Sequence, residues 1–154
     1  MPLEPGQSPG FLLWHATLRW QREITAALEP FGLTHVQFVL LACTWWLNGH
    51  DEQPNQLRLS RQAGIDVKMT SPVLRTLEEK GLIERTTDPN DTRAKRLQVT
   101  ARGATLAPQA IEVVERVDRA FFGPALAPQA LLFLTQLAQG TDIQTAGGAG
   151  IEQP

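Results

Sequence analysis

The chain has 154 residues, 42% of them hydrophobic and 19% charged, a balance that fits one folded unit and excludes a fibrous chain or one disordered over most of its length. A single cysteine, Cys43, excludes an internal disulfide framework, and no apolar run approaches the roughly 18 residues needed to cross a bilayer. The net charge of −2 hides a basic middle: Arg58 to Arg102 holds ten Lys/Arg against six Asp/Glu, which leaves the flanks acidic and gives the pattern of a polyanion-binding module.

Residues 1–9 carry three prolines and a glycine and are expected to be an unstructured lead, without the basic and apolar segments of a secretory signal. A cytoplasmic protein is therefore expected. Phe11 to Glu29 has helical spacing with two apolar stripes, one of Phe11, Trp14, His15 and Leu18 and one of Leu13, Thr17, Trp20, Ile24 and Leu28. Two stripes require two partners, and in a chain this short a second subunit is a candidate for one of them. Pro30 ends this helix, and Thr34 with Gln37 has the form of a capping box opening a second helix from His35 to about Leu47, closed by Asn48-Gly49.

Asn55 is an expected N-cap for a short helix through Ala63, and Gly64 permits a tight turn into a further helix ending at Lys80-Gly81. Two short helices hinged at a glycine are a helix-turn-helix signature. Ile83 to Thr87 and the alternating Arg96 to Thr100 read as strands, joined by a polar, basic tip from Asp88 to Lys95. Ala101 to Phe122, interrupted by Pro108, and Pro128 to Gln139 read as two closing helices; residues 140–154, ending in glycine-rich sequence, are expected to be a disordered tail.

This element order is a winged helix-turn-helix with additional terminal helices. Leu77-Glu78-Glu79-Lys80-Gly81-Leu82-Ile83-Glu84-Arg85, then Asp88-Pro89-Asn90-Asp91-Thr92-Arg93, then Leu97-Gln98-Val99-Thr100-Ala101-Arg102-Gly103 resembles the run LEEKGLIER…DPxDxR…LxLTxxG of the MarR family of bacterial transcription regulators. Gly32-Leu33-Thr34-His35-Val36-Gln37-Phe38 resembles the family's GLTxxQF segment. The likeness spans roughly residues 10–140 as one subunit, with a DNA-binding lobe at about 33–100 and dimerisation helices at about 10–30 and 101–139. It implies a mainly α fold with a two-stranded β-hairpin wing. It further implies a homodimer that binds a pseudo-palindromic double-stranded operator, usually as a repressor, and is released by a small, often aromatic ligand or by oxidation.

The second helix of a helix-turn-helix enters the major groove, so Val67, Lys68, Thr70, Ser71 and Arg75 are the candidates there, with Arg75 reaching either a guanine edge or a phosphate. Arg93 resembles the family's wing arginine of the minor groove, and Asp91 is placed to pair with its guanidinium. Lys95, Arg96 and Arg61 are either phosphate contacts or plain surface charges. Pro72 either begins the recognition helix, with Ser71 as its cap, or kinks it.

In the family the effector cleft lies where the first, second and fifth helices meet. Phe11, Trp14, His15 and Leu18, with Trp45 and Trp46, are candidate walls, and His15 or Arg19 a candidate polar hook; the competing role for these tryptophans is core or dimer interface. Cys43, among Leu40, Leu41 and Ala42, reads as an inert buried thiol, and the chain has no tyrosine to support a peroxide sensor. His15, His35 and His50 show no metal-ligand spacing. No cofactor is expected. No phosphate loop, nucleophile elbow or apolar carboxylate pair points to an enzyme. The rival class is a winged helix used for protein contact, which has no need of a basic wing tip.

Overall fold

The computed structural model describes residues 1–123 and 128–140, and among these it contains six α-helices and one β-hairpin. Helix α1 runs from Pro9 to Leu28, with the Ser8 hydroxyl accepting from the Phe11 N–H and Pro9 in the first turn, where its missing N–H costs nothing. The expected unstructured lead is not wholly irregular, because Pro5–Gln7 forms a 3₁₀ turn ahead of α1. A second 3₁₀ turn, Glu29–Phe31, takes up Pro30, and Gly32 (φ 65°) turns the chain.

Helix α2 (His35–Gly49) opens with both halves of the capping box formed: the Gln37 N–H donates to Thr34 Oγ1 and the Thr34 N–H to Gln37 Oε1, each at 3.2 Å. It is the central strut, burying Phe38, Leu40, Leu41, Thr44 and Leu47, and the Thr44 hydroxyl is satisfied by the Leu40 carbonyl at 2.7 Å. Helices α3 (Gln56–Ala63) and α4 (Val67–Glu79) follow, then antiparallel strands β1 (Ile83–Asp88) and β2 (Asp91–Val99), paired from Ile83↔Val99 to Thr87↔Lys95 with an irregularity between Thr87 and Asp88. The second strand therefore starts at Asp91, not Arg96, and the eight-residue basic loop expected from Asp88 to Lys95 is mostly strand.

Helix α5 (Ala101–Phe122) is capped by Thr100, whose Oγ1 accepts from the Gly103 N–H at 3.0 Å, and α6 spans Pro128–Gln139. Gly103 is the contact point between α5 and the wing: a β-carbon there would lie 2.0 Å from the Leu82 carbonyl oxygen. The core gathers Ile24 and Leu28 of α1, the α2 residues, Leu59, Leu74, Leu77, Leu82, Ile83, Leu97, and the small Ala107 and Ala110 of α5. Each fully buried leucine contributes about 1.5–3 kcal/mol relative to exposure. The expected tail lies, beyond Gly140, outside the described residues.

Candidate nucleic-acid interface

Asn55 caps α3 through the Arg58 N–H at 2.8 Å, and Gly64 (φ 69°) makes the turn into α4. Helix α4 begins at Val67, where Asp66 Oδ1 accepts from the Lys68 N–H at 2.8 Å. Pro72 is thus the sixth residue of a helix already under way and does not begin it. Its ring removes the bond the Lys68 carbonyl would receive from residue 72.

Thr70, Leu74 and Leu77 form the inward face of α4 and are fully buried, and Thr70 Oγ1 donates to the Asp66 carbonyl at 2.9 Å. Thr70 is therefore a packing residue, which corrects its place among the groove candidates. The spacing held the signal: residues 70, 74 and 77 lie on one helical stripe. Ser71 is half-buried at the edge of that face, while Lys68, Met69, Pro72, Arg75 and Glu79 are exposed on the outward one. Met69 was not named from sequence, and Pro72 was named only for its effect on the helix.

The wing is organised by Asp88. This buried carboxylate accepts from the Asn90 N–H at 2.9 Å and from Nε and Nη2 of Arg96 at 3.0 and 2.8 Å. The Asn90 amide, and then Arg96, hold its pKa below the usual carboxylate value. Asp91 does not pair with the Arg93 guanidinium as expected from the two-residue offset; its Oδ1 accepts from the Arg93 backbone N–H at 3.0 Å. It fixes the chain at the turn and leaves the Arg93 side chain exposed. Lys95 is exposed, with Nζ 3.2 Å from Thr87 Oγ1.

The arginines of the basic segment divide by role. Arg58 pairs with Glu52 at 2.6 Å, Arg85 with Glu78 and Arg96 with Asp88. Arg96 also reaches the Gln53 carbonyl at 3.4 Å, and with Leu97 N–H donating to the Pro54 carbonyl at 2.8 Å it ties the wing to the loop before α3. Lys68, Arg75, Arg93 and Arg61 are exposed and, among the described residues, enter no ion pair. Their charge is available to an external anion.

At the meeting of α1, α2 and α5, Trp20 Nε1 donates to Asp118 Oδ1 at 2.8 Å and the Trp20 ring packs edge-on to His35, centroids 5.1 Å apart. Burial lowers the His35 pKa, partly opposed by the charge of Asp118. A cavity of about 310 Å³ lined by Thr25, Glu29, Gly32, Leu33, Thr34 and His35 opens beside it. The Lys80 ammonium, at the C-terminal end of α4, donates to the Gly32 carbonyl at 2.6 Å and to Gln37 Oε1 at 2.8 Å. No local pattern announces these contacts, which join residues 43 to 98 positions apart.

The residues proposed from sequence as ligand walls are spread over other surroundings. Trp14 is 62% exposed, His15 packs on Phe11, Leu18 lines a groove with Arg22, and Trp45 packs against the core. Each histidine instead has its own aromatic neighbour: Phe11 for His15, Trp20 for His35 and Trp46 for His50. Burial raises the Cys43 thiol pKa, consistent with an unreactive side chain. At the far end, apolar grooves of about 560 and 260 Å³ separate the start of α1 from α6, walled by Leu12, Leu13, Phe122, Phe133, Leu134 and Leu137 among others. Phe133 is 60% exposed and Leu132 59%, an apolar face left open in a single chain.

A family model described as the MarR family matches residues 33–95. The chain is 44% identical over 128 residues, covering 83% of this chain and 87% of the relative, to the HTH-type transcriptional regulator YdcH of Bacillus subtilis. It is 31% identical over 134 residues, 86% of this chain and 94% of the relative, to the HTH-type transcriptional repressor Rv2887 of Mycobacterium tuberculosis. The structure of Rv2887 in complex with salicylic acid matches with a TM-score of 0.61 at 30% identity, over 86% of this chain and 95% of that one. CouR from Rhodococcus jostii RHA1, solved bound to p-coumaroyl-CoA, matches with a TM-score of 0.77 at 25% identity, over 93% and 100% of the two chains.

Proposed function

Because this chain belongs to the MarR family, we propose that it is a cytoplasmic, homodimeric DNA-binding transcriptional repressor that a small aromatic ligand releases from its operator. One observation carries the DNA-binding reading: the outward face of α4 and the wing present Lys68, Arg75 and Arg93 exposed and unpaired among the described residues, while Arg58, Arg85 and Arg96 are engaged inside the lobe. Helix α4 enters the major groove, Lys68 and Arg75 reach base edges and phosphates, and Arg93 and Lys95 carry the wing to the flanking minor groove. Arg96 acts by fixing the wing's pose, and Asp91 by setting the turn that presents Arg93.

The apolar face between α1 and α6 is the surface on which a second copy docks. The two-fold dimer sets its recognition helices about one DNA turn, roughly 34–36 Å, apart on a pseudo-palindromic operator. The M. tuberculosis relative bound to salicylic acid and the Rhodococcus neighbour bound to p-coumaroyl-CoA favour an aromatic effector. In this chain the cavity beside Trp20 and His35 is its site. Occupancy there displaces Gly32, and Lys80 passes the displacement to α4, changing the separation of the two recognition helices.

A fluorescence-anisotropy titration against the upstream intergenic duplex, at two salt concentrations and with excess unrelated competitor, tests the reading. A competitor-resistant complex that weakens steeply with salt is expected. Absence of binding there and in a selection from random-sequence DNA would favour a winged helix used for protein contact.

A further inference from the structure

We propose that α4 reads thymine through its 5-methyl group, with Met69 and Pro72 as the reading side chains; this rests on the DNA-binding function proposed above and assigns part of its specificity. Pro72 lies near the centre of the outward face, diametrically opposite the buried Thr70, Leu74 and Leu77. Lys68 stands one turn before it and Arg75 one turn after, both exposed, and Met69 is its neighbour three residues back, 64% exposed. The outward surface in the first half of the helix is thus an apolar pair framed by two cations.

Both apolar side chains are exposed. Met69 leaves most of its surface in water, and Pro72 removes a helical hydrogen bond. The first half of a recognition helix is the part that faces base edges, and the thymine C5-methyl is the apolar feature that the major groove offers there. Burying it against Met69 and Pro72 turns two exposed side chains into contact surface, while Lys68 and Arg75 hold the helix to the DNA on either side.

The test uses the full-length protein and an operator obtained by selection from a random duplex pool. Each operator thymine is replaced in turn by deoxyuridine, which deletes the methyl and keeps the hydrogen-bonding edge. At one or two positions per half-site the affinity is expected to fall about threefold to fivefold, the value of one buried methyl. Met69→Ala or Pro72→Ala should bind the thymine operator more weakly and lose that discrimination; both positions are exposed, and the second change restores a normal helix former. A specific operator whose affinity is unmoved by every deoxyuridine, or discrimination that survives intact in both variants, overturns the proposal and leaves DNA binding standing. A pool that yields no preferred sequence overturns both.

Discussion

The ammonium of Lys80 lies 2.6 Å from the carbonyl oxygen of Gly32, 48 residues earlier in the chain. Through Gln37 Oε1 the same ammonium also touches the capping box that opens α2. The end of the recognition helix is therefore fastened to the wall of the cavity beside His35, and a shift of that wall has a direct route to α4.

Replacing Lys80 by methionine keeps the aliphatic stem and removes the donor. The variant is expected to fold and bind operator, but an aromatic acid that releases the wild type should release it less effectively, by about fivefold or more, the low end of allosteric coupling. Anisotropy titrations of the acid into preformed complexes measure this. Equal release by the acid in both proteins would exclude Lys80 from the route.

Glycine in a helix ordinarily costs about 1 kcal/mol relative to alanine, so propensity alone would have Gly103→Ala stabilise the protein. The Leu82 carbonyl oxygen, 2.0 Å from where the new β-carbon would sit, reverses the sign. A loss of about 1–3 kcal/mol is expected, the scale of overpacking, seen in urea denaturation as a lower midpoint at unchanged slope. A more stable variant would show that α5 and the wing separate readily.

Arg93→Ala removes an exposed cation that no other described side chain pairs with. Its melting temperature should match the wild type, its operator affinity should fall, and the salt slope of binding should become shallower by about one. Arg96→Ala should differ in kind. It strips Asp88 of its partner, so the wing loses protection from proteolysis as well as affinity. An Arg96→Ala wing that resists protease as well as the wild type would place Arg96 with the direct contacts.

His35 has a folded-state pKa below its usual 6.5, because burial between Trp20 and the α2 terminus disfavours the charged ring more than Asp118 favours it. The unfolded chain then takes up the proton first, so this group's contribution is complete above about pH 6.5 and declines as the pH falls toward the folded-state pKa. Chemical denaturation at pH 7.5 and 5.5 should show a drop in stability that His35→Gln reduces. An equal drop in both proteins would assign the pH dependence to other groups.

Local chemistry that is complete within a few residues was legible. The Thr34/Gln37 box and the Asn55 cap follow from side chains that satisfy nearby backbone groups, and α5 and α6 have the bounds read from their sequence pattern. Pro72 left two readings open, a helix start or a kink, because proline statistics favour the first turn; Asp66 caps a helix that has already begun, with the proline on its solvent side, which excludes the start. The wing was drawn too short because Asp91 to Lys95 pairs along a ribbon away from the core, where no apolar alternation marks a strand. Trp20 with Asp118 and Lys80 with Gly32 were invisible, since only the tertiary fold brings together positions 98 and 48 residues apart.

Helix α5 is 22 residues long, packed near its start, at Gly103, on Leu82 at the base of the wing, and ending at Phe122 beside the apolar grooves. At 1.5 Å per residue it spans about 33 Å, with Pro108 inside it, so a tilt of about 5° pivoted at the Phe122 end would swing the wing end by about 3 Å. That sweep is close to the length of a hydrogen bond. Substitutions around Phe121, Phe122 and Leu134 are therefore expected to shift operator affinity in an anisotropy titration while every side chain proposed to contact DNA stays the same.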